Sequence, residues 1–206
     1  AYNTRNDVGL VTDERSLDTE YVRDGFGELL RLVSPDSGTT DFWYDDSGNL
    51  TRDDREVEPG VVSRRTRTYD DADRLITQRA ERIPGSAPTV RTWDYDTAVE
   101  PEFLNTAGRL YKTTDPSGET RYGYDAHGRP DLVETQIISS VGTQTFRVDY
   151  DFDATGNLDQ VEYPSERTVD YTLAAGRVSS ASWEVSGGSG PMSLTTGVSY
   201  FPFSLS

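Results

Sequence analysis

The chain contains no cysteine, one histidine and one methionine among its 206 residues. Without thiols it has neither disulfide staples nor thiolate metal sites. With a single imidazole, His127, a Ser-His-Asp or Cys-His device could be built only around that residue. Apolar residues are scarce: the hydrophobic fraction is 33%, and Leu, Ile, Val and Phe make up about a fifth of the chain. No apolar run approaches the ~20 residues of a membrane helix, no signal peptide opens the sequence, and no ten-residue stretch carries a helical apolar stripe. Basic excess is missing as well. A net charge of −16 argues against nucleic acid and anionic membranes, which need cationic patches to release counterions. The nearest thing to such a patch is "SRRTRTYD". Its Arg64, Arg65 and Arg67 alternate across a predicted strand ringed by carboxylates and read as a solvated strand face.

What is present is aromatic and repetitive. Twelve Tyr, seven Phe and three Trp set the chain apart from disordered sequences of similar charge. They imply a folded protein whose buried surface is spread thinly, as in extended sheets with one wet face. A signature Y-D-x-x-G-x-L recurs. Close copies are "YDDSGNL" (Tyr44, Asp45, Gly48, Leu50), "YDAHGRP" (Tyr124, Asp125, Gly128) and "FDATGNL" (Phe152, Asp153, Gly156, Leu158). Degenerate copies carry Gly9, Gly27 and Gly176, the last with one extra residue. "YDDADRL" (Tyr69, Asp70, Leu75) has Asp73 where glycine belongs. In "YDTAVEPEFLNTAGRL" an insertion separates Tyr95 and Asp96 from Gly108 and Leu110. The shortest intervals between marks are 18 to 21 residues, and the longer ones read as the same unit with a loop inserted.

The signature encodes a hairpin. Aspartate at the first turn position accepts hydrogen bonds from the backbone two residues on, favouring a type I turn. Glycine at the fourth position takes positive φ without steric cost, and a type I turn followed by such a residue is a standard bulged hairpin connection. Asp73 is the informative exception, since Asp is among the few residues that tolerate that conformation. Tyr and Leu then face each other at the hairpin neck, a pair contributing roughly 0.2–1 kcal/mol. A second signature, in "SPDSGTTDFWYD" and "TDPSGETRYGYD", puts Gly38 and Gly118 six residues before the next tyrosine. Each unit thus has a turn at both ends joined by alternating strands. The predicted fold is all-β, an antiparallel meander of hairpins in sequence order, each burying its apolar face only beside its neighbours. We expect one array over residues 1–206. The closing "SYFPFSLS" reads as cut mid-strand, a fragment of something larger.

These motifs resemble the Rhs, or YD-repeat, family. "YDDSGNLTR", "YDAHGRPDLVE" and "TDPSGETRYGYD" match its Y-D-x-x-G-R-L consensus with a D-P-x-G lead-in, and "GVSYFPFS" looks like its Tyr-x-Pro-Phe strand, with Ser204 where glycine is usual. Asp73, Pro130 and the insertion around "AVEPEFLN" depart from the pattern without touching the hairpin logic. The resemblance implies a curved, spiralling sheet forming part of a hollow shell. Such shells enclose a toxic C-terminal domain in bacterial polymorphic toxins and insecticidal toxin complexes; similar barrels in animal teneurins serve adhesion, and the repeats have been associated with carbohydrate binding. "DPSG" at Asp115 shares only its spelling with the family's self-cleavage region and reads as a turn.

Other constellations give way to plainer readings. "DFDATGNLDQVE", Asp151 to Glu162, spaces its oxygens like an EF-hand loop, yet an alternating strand enters it and Pro164 follows, so it reads as a hairpin turn with at most incidental calcium binding. His127 occupies an unconstrained turn position and is expected to be solvent-exposed. Paired carboxylates such as Asp45–Asp46 follow from 36 acidic residues and do not argue for glycosidase chemistry. "SGGSG", Ser186 to Gly190, is a flexible loop with no helix start or Lys after it. Trp43, Trp93 and Trp183 sit beside strand residues and read as packing, with sugar stacking as the minority role. The expectation is a structural, non-enzymatic segment of a large secreted or cell-surface bacterial protein, without cofactor or metal. Its partners would be the rest of its own shell and an enclosed toxin domain. The alternative is a glycan- or cell-surface-binding module on the same sheet.

Overall fold

In the computed structural model of the chain, the described residues are 1–2, 7–85, 87–185, 188 and 190–200. "SGGSG" (in part) and residues 201–206 of the closing stretch lie outside them. Two compact units are present, Ala1–Trp93 and Asp94–Ser206. The first holds β1 (Leu10–Thr12), β2 (Asp18–Arg23), β3 (Leu29–Ser34), β4 (Gly38–Tyr44), β5 (Leu50–Glu58), β6 (Val61–Tyr69) and β7 (Leu75–Ile83); β8 (Thr89–Tyr95) runs through the boundary. The second holds β9 (Leu110–Asp115), β10 (Gly118–Tyr124), β11 (Pro130–Ser139), β12 (Gly142–Phe152), β13 (Leu158–Tyr163), β14 (Arg167–Ala174), β15 (Arg177–Val185) and β16 (Met192–Thr195). Within each unit the strands pair antiparallel in sequence order, and among the described residues there is no helix. The chain is an antiparallel meander.

Alternation explains why so few apolar residues suffice. In the first unit one face carries Arg31, Asp41, Asp54, Arg64 and Glu81 as successive cross-strand neighbours. Arg64 pairs with Asp54 at 2.7 Å, and Arg52 reaches the same carboxylate. These guanidiniums, Arg52 first and Arg64 next, hold Asp54 well below the usual carboxylate range. On the opposite face Asp53 is 2% exposed, with Arg65 at 2.9 Å and Arg67 at 2.8 Å. The three arginines of "SRRTRTYD" are therefore not a simple solvated face. They divide between the two faces, each paired with a β5 carboxylate, and Arg67 is largely buried. A buried carboxylate needs such pairing.

The second unit's apolar cluster comes from the insertion. Ala98 and Phe103 fold back on Tyr111 and Leu132, with the Phe103 and Tyr111 rings edge-to-face at 5.9 Å. The Tyr111 hydroxyl donates to the Glu100 carboxylate, and burial together with that bond pushes it up to about 12. Asn105 Nδ2 donates to Tyr124 O at 2.7 Å, and Tyr124 N to Leu104 O at 3.0 Å. Gly123 permits this close packing: a Cβ there would lie 3.4 Å from Phe103 Cα and 3.2 Å from Leu132 Cβ.

Candidate functional site: the ladder of hairpin tips

The repeated signature builds one local structure. In five tips the aspartate amide donates to the carbonyl four residues on: Asp24 to Glu28, Asp45 to Asn49, Asp70 to Arg74, Asp125 to Arg129 and Asp153 to Asn157. The fourth residue returns a bond to the aspartate carbonyl, from Gly48, Asp73, Gly128 and Gly156 at 3.0 Å each. Each side chain then caps its own turn. Asp45 Oδ1 accepts from Ser47 N at 3.0 Å and Asn49 N at 2.9 Å, and the corresponding amides approach Asp24, Asp70, Asp125 and Asp153. The turn thus uses two amides per carboxylate where the sequence pattern alone suggests one. Gly48, Gly128 and Gly156 have φ of 86°, 82° and 93°, and Asp73 adopts 59°.

Charge follows geometry. The Asn49 amide holds Asp45 below its ordinary range, and the Arg74 amide does the same for Asp70. The Asn157 and Thr155 side chains lower Asp153. At Asp125 desolvation pulls upward, but the Arg129 amide and guanidinium outweigh it and set the group at about 2.

Two kinds of contact recur between neighbouring tips within a unit. The first is a tyrosine hydroxyl. Tyr44 donates to Leu29 O at 3.1 Å, Tyr69 to Leu50 O at 2.8 Å, Tyr124 to Leu110 O at 2.7 Å and Tyr200 to Val178 O at 2.9 Å. In every case the acceptor is the aliphatic residue just after the previous tip. Within its own hairpin the tyrosine pairs across the neck, Tyr44 with Leu50 and Tyr69 with Leu75; Phe152 pairs likewise with Leu158.

The second contact comes from the residue directly after the glycine position, which reaches over the following tip. A Cβ on Gly48 would lie 3.2 Å from Glu28 Oε1, one on Gly128 2.3 Å from Arg109 Nη2, and one on Gly156 3.1 Å from Arg129 Nη1. At Asp73 the same role falls to Asn49, whose Nδ2 donates to Asp73 Oδ1 at 2.7 Å. Arginines in this position also stack on the next aromatic: Arg109 on Tyr124 at 5.6 Å, Arg129 on Phe152 at 4.2 Å, Arg177 on Tyr200 at 5.2 Å. Such cation–π contacts contribute roughly 0.5–1 kcal/mol at exposed sites.

Two tips differ from the sequence reading. Gly9 is not at one: its amide donates to Ala1 O and its carbonyl accepts from Tyr21 N. Among the described residues the first such tip is instead Asp13–Leu17, with Ser16 at φ 61° in the glycine's place and Asp13 Oδ1 accepting from Arg15 N and Leu17 N. Its only signal is an aspartate with a leucine four residues on. Ala175 and Gly176, both at positive φ, form a two-residue turn with Ala174 opposite Arg177, shorter than the Asp-capped tips. The interrupted copy closes across its insertion, since Asp96 N donates to Arg109 O at 3.0 Å and Gly108 N to Asp96 Oδ1 at 2.7 Å. Tyr95 is the last residue of β8 and Leu110 the first of β9.

The remaining candidates fall in place around the ladder. Asp151–Glu162 spans the end of β12, the turn and most of β13, with Asp153 committed to its own turn. His127 is 80% exposed at a tip. Asp115 Oδ1 accepts from Ser117 N at 2.7 Å in the turn before Gly118. Trp43 is 41% exposed but has Arg52 over its ring at 4.2 Å; Trp183 has Arg167 at 5.0 Å; Trp93 is half-buried on β8.

Residues 105–144 of this meander of aspartate-capped hairpins match the RHS Repeat family. The chain's fold is similar to chains in three solved structures. The first is a Photorhabdus luminescens Tc holotoxin pore with a TccC3 mutation: TM-score 0.80, 16% identity, 97% of this chain and 11% of that one. The second is TcdB2-TccC3-Cdc42 and the third TcdB2-TccC3 without its hypervariable C-terminal region, each with TM-score 0.69, 16% identity and coverage of 89% and 11%. The chain spans about a tenth of the length of these neighbours. None of the curated proteins matches the sequence.

Proposed function

We propose that this chain is a structural, non-enzymatic segment of an Rhs-repeat shell in a large secreted bacterial protein, and that it works by containment. A continuous array of hairpins would separate a C-terminal toxin domain from solvent until release. The tip-to-tip ladder carries this reading. Its repeated side chains are spent on holding one hairpin to its neighbour: the aspartates on their own turns, the tyrosines on preceding carbonyls, the post-glycine residues on following tips. Little chemistry is left over for a substrate. The acidic excess keeps such a surface soluble. Likeness to Tc toxin chains supports the reading, one of them solved without a hypervariable C-terminal region. Sugar stacking is less well supported, since a glycan on Trp43 would first have to displace Arg52.

The test is limited proteolysis of a longer polypeptide containing this segment and the sequence after it. Containment predicts that the downstream domain resists protease while the array is intact and is cleaved once acid opens it. Equal cleavage in both states contradicts containment.

A further inference from the structure

Within the unit Asp94–Ser206, β12 outruns its neighbour. It pairs with β13 only from Asp149 to Phe152, and β13 ends at Tyr163, leaving Gly142–Arg147 beyond that end. On its other side the whole stretch pairs with β11, from Ser139↔Gly142 to Leu132↔Asp149. Successive residues of an antiparallel strand turn their N–H and C=O to opposite sides. Ile138 N donates to Ser117 O at 2.7 Å, away from β12, so its partner Thr143 faces away from β11. The alternation turns Thr145 and Arg147 outward too, in phase with Asp149, which meets β13. Gly142–Arg147 are exposed, and among the described residues no strand pairs with their outer side. Most sheet edges are blunted by charge, proline or bulges; the outward positions Thr143 and Thr145 carry none of these, and the charge of Arg147 at the end of the stretch is paired with Asp149 at 2.7 Å.

An open groove of about 850 Å³ adjoins this edge. Phe146, Tyr163, Pro164, Val169 and Trp183 wall it. Arg167 is its one cation, over the Trp183 ring, with no carboxylate in ion-pair distance among the described residues.

We propose that the β12 edge and this groove dock an extended segment of another polypeptide, added as a strand along Thr143–Arg147. Alternate apolar side chains of that segment face the groove, and one carboxylate meets Arg167. Main-chain bonds supply affinity and the alternate pockets specificity in this mode of recognition. The ligand carries one carboxylate and not several, because a chain of net charge −16 repels a more acidic peptide. This docking role goes beyond containment and stands whether or not a cargo is enclosed.

The experiment is fluorescence anisotropy of the 206-residue chain with a dye-labelled octapeptide alternating Val or Phe with Thr and bearing one Glu. Two comparison peptides are used, one N-methylated at alternate residues and one with Lys for Glu. The parent peptide binds, and N-methylation weakens it by about tenfold or more, because it removes the strand-forming donors. Thr145→Pro does the same, since proline is tolerated on an edge whose N–H faces solvent. Arg167→Glu reverses the preference from the Glu to the Lys peptide. If Thr145→Pro does not fold, N-methylation on the unaltered chain decides. Equal binding of the N-methylated peptide, an unchanged preference in Arg167→Glu, or no binding at about millimolar peptide overturns the proposal. So does self-association through this edge in place of peptide binding.

Discussion

The Asn49 side-chain amide donates to Asp73 Oδ1 at 2.7 Å, joining the residue after one tip to the glycine position of the next. Asp73 is therefore more than a tolerated substitute for glycine. Asp73→Ala should cost about 1–2 kcal/mol, since alanine keeps the left-handed strain and loses the acceptor. Asp73→Gly should stay within about 0.5 kcal/mol of the parent, relief of strain offsetting an exposed hydrogen bond. Urea unfolding of both variants, with Asn49→Ala to complete a double-mutant cycle, measures this; a fully additive cycle contradicts the contact.

The tyrosine lock makes opposite predictions at two positions. Tyr69→Phe strands the Leu50 carbonyl and should lose about 1 kcal/mol. Phe152→Tyr restores a hydroxyl where the following-repeat pattern points it at Pro130 O, and should gain about 0.5 kcal/mol. Chemical denaturation midpoints distinguish the two.

Gly108 and Gly118 look alike in sequence but are held for different reasons. A Cβ on Gly108 meets nothing within 4 Å, so Gly108→Ala should cost only the positive-φ penalty, about 1–2 kcal/mol. A Cβ on Gly118 would fall 1.8 Å from Gln136 O, a backbone atom that cannot swing aside. Gly118→Ala should therefore cost more than about 4 kcal/mol or prevent folding. Comparable midpoints for the two variants would refute the difference.

Two pH limits follow from the tips. Asp13, Asp24, Asp45, Asp70, Asp125 and Asp153 all sit below their ordinary range in the folded chain. Their contribution is complete above the unfolded value of about 3.9 and is lost as pH falls toward about 2, where Asp125 titrates. Burial raises Tyr44, Tyr69, Tyr124 and Tyr111, the last to about 12. Their contribution is complete below about 10 and is lost as pH rises toward 12. Thermal melts from pH 2 to 12 should show a plateau with both flanks falling; an acid flank that begins near pH 6 contradicts the assignment.

Much of the fold was readable before any coordinates because period and turn chemistry are local. Tyr, Asp, Gly and Leu at fixed offsets specify a hairpin, and alternation specifies its strands. What escaped notice depends on contacts between repeats. Nothing in "YDDSGNL" says that Asn49 touches Asp73, since residues 24 apart meet only once the register is set. Asp13 escaped because Ser16 replaces the glycine that marks a tip. The insertion departs from the repeat pattern, yet Ala98 and Phe103 form part of the second unit's cluster; irregular segments have no period to reveal which side chains turn inward. Arg67 read as solvated because its carboxylate, Asp53, lies on the neighbouring strand.

The most direct test of the tip ladder is native-state hydrogen exchange, followed amide by amide with NMR. Asn49, Arg74, Arg129 and Asn157 each donate an amide to the aspartate capping their own turn. These four amides should be protected at neutral pH, and Tyr69→Phe should raise exchange at both Asn49 and Arg74. Exchange of all four at the unprotected rate, or a Tyr69→Phe effect confined to its own hairpin, contradicts a structure built by locking each tip to the next.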